Sequence, residues 1–102
     1  MKAIQNQDIA GTSLQGYIET TRADLQAAFG EPIFYDPGDK VTIEWSLQFE
    51  DGTIATIYDW KRDEDEAPEL NEEMTYNIGG ISTEAVARVK ESLLELGLKV
   101  AN

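Results

Sequence analysis

Almost all of the side chains in this chain that could do chemistry are carboxylates. The densest run is Asp63-Glu64-Asp65-Glu66, and Glu44 and Asp59 lie on the segment leading into it. His and Cys are both absent, which removes the usual acid-base group near neutral pH, thiol nucleophiles, and imidazole or thiolate metal sites. Catalysis would have to rest on paired carboxylates, as in glycoside hydrolysis. Such pairs sit in clefts of larger folds, and 102 residues leave little volume for one. Asp63, Asp65 and Glu66 resemble part of a calcium loop but lack its turn Gly and its final Glu spacing. Weak divalent binding there stays open, and no metal site is assigned. Gly79-Gly80 and Gly11-Thr12-Ser13 lack the second Gly or the Lys-Ser/Thr that cradles a phosphate, so they read as turns. No cofactor is implied, and the expectation is a binding protein, not an enzyme.

Twenty acidic residues stand against eight basic ones, a net charge of -12. A field of that sign repels nucleic acid and anionic membrane, and the scattered Lys and Arg give no phosphate-binding patch. The expected partner is therefore a basic protein or a cation, with no direct nucleic acid and no membrane. The first residues show no signal-peptide run and no stretch has the length of a membrane span, so the cytoplasm is the default expectation. Without Cys there is no disulfide framework, and the redox compartment is left open.

The elements that must position these acids fit one domain, 1–102. Leu14 to Glu19 reads as a short strand. Thr21 and Asp24 have capping-box spacing, Leu25, Ala28 and Phe29 share one helical face, and Gly30 with Pro32 stops the helix. The run Ile33-Phe34-Tyr35 would cover a sheet edge or add a short strand. Met74 to Ile78 returns to strand character, and Gly79-Gly80 breaks it. Ser82 then caps a helix with Glu84 in its first turn and Val86, Val89, Leu93 and Leu96 as its buried stripe. Gly97 ends that helix.

Between these lies the clearest pattern, five apolar residues from Val41 to Phe49 alternating with five polar ones from Thr42 to Glu50. Asp51-Gly52 follows, the dipeptide of a tight hairpin turn, and then β-rich sequence to Lys61. A two-residue turn pairs Phe49 with Ile54, Leu47 with Thr56, Trp45 with Tyr58 and Ile43 with Trp60, which gathers the rings on one face. The alternative, with Gly52 in a bulge, shifts the register by one and sets Asp59 beside Ile43 on the apolar side, at a cost. The first register is favoured. The expected fold is α+β: an antiparallel sheet around a central hairpin at about 41–61, in the order β-α-β-β-β-α, with both helices on its apolar face.

In that register Glu44 and Asp59 are direct neighbours on the wet face, a like-charge pair that Lys61 could relieve from the diagonal. Trp45, Tyr58 and Trp60 belong to the core and not to a stacking platform. Residues 62–73, which hold seven carboxylates and one Arg, form an exposed, mobile loop. From Glu44 to Glu73 there are eleven carboxylates and two basic residues. Such a concentration can imitate the charge spacing of a nucleic-acid backbone, although charge runs commonly serve solubility alone.

The elements Gly11 to Ile18, Asp24-Leu25 with Phe29 to Pro32, Glu44-Trp45, Phe49 to Thr53 with Ala55 to Lys61, and Tyr76 to Gly80 together resemble a recurrent family of small uncharacterised bacteriophage proteins. The resemblance spans most of the chain and carries no catalytic residue with it. It implies a context, since short, acidic, cysteine-free phage proteins are often inhibitors of host defence machinery, some of them DNA mimics. The expectation is then a phage-encoded inhibitor that docks Glu44, Asp59, Asp63, Glu64, Asp65 and Glu66 onto a basic host protein in the host cytoplasm. The alternative is a structural or self-assembling phage accessory protein that forms homo-oligomers through a sheet edge or its last helix.

Overall fold

A computed structural model describes residues 2–3, 11–35, 40–60 and 67–98. Its elements, in chain order, are β1 (Lys2–Ala3), β2 (Ser13–Thr21), α1 (Arg22–Phe29), β3 (Ile33–Phe34), β4 (Ile43–Gln48), β5 (Ile54–Tyr58), β6 (Glu73–Gly80) and α2 (Glu84–Glu95). The fold is α+β. One six-stranded antiparallel sheet runs β1-β4-β5-β6-β2, with β3 also pairing β4. Two strands therefore abut the same border of β4, β1 at Leu47 and Gln48 and β3 at Ile43 and Glu44, while β2 forms the opposite border.

Local chemistry sets the ends of α1 as the sequence suggests. The Thr21 hydroxyl accepts from the Asp24 amide at 3.2 Å, and Gly30 takes the positive φ of 86° that ends the helix. Arg22 then ties α1 to its surroundings. It donates to the Pro68 carbonyl at 3.1 Å and to Gln26 at 2.7 Å, and lies 5.0 Å from the centre of the Phe34 ring.

One hydrophobic core gathers Leu25 and Phe29 of α1 and Ala85, Val89 and Leu93 of α2 with Ile18, Ile43, Trp45, Leu47, Ala55, Ile57, Tyr76 and Ile78 of the sheet. Trp45 is core as expected, and its indole nitrogen donates to the Gly30 carbonyl at 2.8 Å, which satisfies the polar atom of a buried ring.

The hairpin register differs from the favoured expectation. Glu44 faces Tyr58, Trp45 faces Ile57 and Leu47 faces Ala55. The turn spans three residues: Gly52 donates to the Phe49 carbonyl at 2.9 Å, adopts a φ of 89°, and lets the Phe49 amide reach the Thr53 carbonyl at 2.8 Å. This is the bulged arrangement, and it reverses the faces of β5. Ala55 and Ile57 enter the core, while Tyr58 and Trp60 leave it; Trp60 is 46% exposed.

Three further expectations are corrected. Strand β6 runs through Gly79 and Gly80 instead of breaking there, since they pair with Thr56 and Ala55 of β5 and with Leu14 and Ser13 of β2; glycine is needed because a Cβ on Gly79 would lie 2.5 Å from the Thr56 hydroxyl, and one on Gly80 2.5 Å from the Ala85 Cβ. The N-cap of α2 is Thr83, not Ser82, and no side chain caps it. The buried stripe of α2 is Ala85, Val89 and Leu93, with Val86 packed partly against it and Leu96 exposed beyond the helix end.

Candidate functional site

The six carboxylates expected to form one docking surface divide three ways. Asp63, Glu64, Asp65 and Glu66 lie outside the described residues, as does Lys61. Asp59, expected beside Glu44 in solvent, is 0% exposed. In the bulged register it follows Tyr58 on the core side, where it accepts from the Thr42 amide at 2.7 Å, the Ile43 amide at 3.1 Å and the Thr42 hydroxyl. A buried carboxylate is tolerable when donors converge on it, and here they are Thr42 and Ile43 at the entry to β4. Burial withdraws Asp59 from any docking surface.

Glu44 does lie on the sheet face opposite Ile43 and Trp45, half-buried. The register aligns it in one row with Tyr58, Asn77 and Tyr17 across β4, β5, β6 and β2. The Tyr35 hydroxyl donates to its Oε1, which fixes the orientation of the carboxylate. Next to it opens a hollow of about 240 Å³ walled by Val41, Glu44, Thr56, Tyr58, Trp60 and Gly79. Trp60 meets Tyr58 edge to face at 6.3 Å, and the Lys40 ammonium lies 5.8 Å from the Trp60 ring centre.

A second acidic surface, missed in the sequence, joins the hairpin tip to α2. Arg88 pairs with Asp51 at 2.9 Å, Glu91 at 3.2 Å and Glu84 at 3.9 Å. Glu50, Asp51, Arg88, Glu91 and Glu95 line a hollow of about 390 Å³. Hydrogen bonds from the Thr53 hydroxyl and amide, then from Arg88, hold the Asp51 carboxyl well below its ordinary value of 3.8. The same pairing raises Arg88. The spacing 84, 88, 91, 95 places these residues on one side of α2 and was legible; that Asp51 joins them was not, because it lies 37 positions from Arg88.

A third group, Glu19, Asp24 and Glu73, surrounds a hollow of about 300 Å³ between β2, the start of α1 and the start of β6. Among the described residues no three acids converge closely enough to hold a metal ion. Nor is any helix there long and apolar enough to cross a membrane. What the arrangement offers is fixed negative charge on several exposed surfaces and one half-buried carboxylate among rings. No family model, curated protein or solved structure matches this chain.

Proposed function

We propose that this chain is a stoichiometric binding protein, not a catalyst, whose carboxylates dock onto a basic surface of another protein. The observation that carries the reading is the line of Glu84, Glu91 and Glu95 on α2 with Glu50 and Asp51 beside it, five acids close to Arg88. The helical part of this line is about 16 Å long at 1.5 Å per residue. Glu44 and the run Asp63 to Glu66 add to the same negative field. Complementary charge of this kind speeds encounter and weakens with salt.

The resemblance to small phage proteins supports a host partner, a defence or nucleic-acid-processing protein in the host cytoplasm, engaged by imitation of DNA charge. In this reading both helices cover the face that carries Trp45 and Ile57, as their shared core supports, so the acids of α2 and Glu44 lie on different sides of the sheet and serve different parts of the encounter with the partner. The test is capture of proteins from host lysate by wild type, by D63K/E64K/D65K/E66K and by E84K/E91K/E95K. Captured proteins should be released by high salt and by duplex DNA, and lost with the reversed charges. Capture unchanged by either reversal and untouched by DNA would reject the reading.

The second reading, a self-assembling accessory protein, draws support from Leu94 and Leu96, both more than half exposed at the end of α2. Light scattering separates the two: a discrete, salt-insensitive oligomer favours assembly, and a monomer that captures a basic protein favours docking.

A further inference from the structure

The acids on α2 are exposed and suit long-range steering, but tight association also needs an anchor that is desolvated on binding. Only Glu44, among the candidate docking residues within the described chain, is already half-buried on an open face. Its Oε1 is held by Tyr35, and its Oε2 forms no hydrogen bond or ion pair with a described residue. A partly desolvated carboxylate of fixed orientation gains most from a cation that can fill the space beside it.

The hollow beside Glu44 has the lining such a cation requires. Tyr58 stands directly across from Glu44, and Trp60, two residues on, presents its ring on the same side. The indole already attracts a cation, since the Lys40 ammonium lies 5.8 Å from its centre. A volume of 240 Å³ is roughly eight times a water molecule's share of about 30 Å³, enough for a guanidinium and part of its stem.

We infer that this hollow receives one arginine side chain of a basic partner, with Glu44 bonding the guanidinium and Trp60 flanking its plane. The inference rests on the docking reading above and deepens it by naming the anchor. Arginine is favoured over lysine because a planar guanidinium stacks on a ring while its edge meets a carboxylate, whereas an ammonium does only one of these well. An incoming guanidinium takes the place that Lys40 holds over the indole.

The probes are blocked hexa-arginine and hexa-lysine peptides, titrated into the full chain at low salt while the Trp60 indole N–H is followed by NMR. Glu44→Gln should weaken hexa-arginine binding about tenfold, whereas Glu95→Gln, which removes equal charge from α2, should weaken it about twofold. Trp60→Leu, a change at an exposed ring that leaves the core intact, should erase the preference for arginine over lysine. Equal losses for the two glutamine variants, or an unmoved Trp60 indole, would overturn the arginine site and leave the docking reading standing. Failure of both peptides to bind wild type would end both proposals.

Discussion

Asp59 and Thr42 meet twice: the Thr42 amide donates to Asp59 Oδ1 at 2.7 Å, and the Thr42 hydroxyl donates to Oδ2. The pair joins the residue after β5 to the residue before β4, and the Ile43 amide adds a third donor at 3.1 Å. The open end of the hairpin, away from its turn, is thus tied by a buried carboxylate.

Removing that carboxylate orphans buried donors. Asp59→Ala should cost about 3 kcal/mol of unfolding free energy, and Asp59→Asn somewhat less, because an amide can still accept on one side. Urea titration checks this. A loss under about 0.5 kcal/mol for the alanine variant would mean that water replaces the missing oxygens.

Register is directly observable in solution. Cross-strand NMR contacts should join Trp45 to Ile57 and Leu47 to Ala55, as the pairing requires. Contacts joining Trp45 to Tyr58 and Leu47 to Thr56 as directly opposed pairs would restore the two-residue turn.

Gly80 lies directly against α2. A Cβ there would meet the Ala85 Cβ at 2.5 Å and the Ile54 carbonyl at 2.9 Å, so Gly80→Ala should destabilise by about 2 kcal/mol through overpacking. Thermal unfolding monitored by circular dichroism would show it as a lowered Tm. A matched Tm would show that α2 can shift outward freely.

Acid should expose the contribution of Asp51. Its folded pKa lies below the ordinary 3.8, so the stability it supplies is fully present above that value and is lost as pH falls through the folded pKa. The Tm difference between wild type and Asp51→Asn should stay constant from neutral pH to about 4 and shrink only below it. A difference already shrinking near pH 6 would assign the effect to another group.

Much of the fold was legible because its signals are local. The alternation from Val41 to Phe49 marks β4, and the spacing of Thr21 and Asp24 marks the start of α1. The register was not, because Asp51-Gly52 serves a two-residue or a three-residue turn equally well and the choice is made 17 residues apart, where Thr42 meets Asp59. An acid beside Ile43 looks costly only until its donors are counted. Gly79-Gly80 read as a break for a related reason: the neighbours that exclude a side chain, Thr56 and Ala85, come from other elements. Of the candidate site, the placement of Glu44 on the face away from the core was visible in the alternation, whereas its Tyr35 partner was not.

The two borders of the sheet are not equivalent. Strands β1 and β3, of two residues each, meet the outer side of β4 at its two ends, whereas β2 presents a border nine residues long. Very short edge strands offer another chain little backbone to pair with, so among the described residues the β4 side is blunted against edge-to-edge association and the β2 side is not.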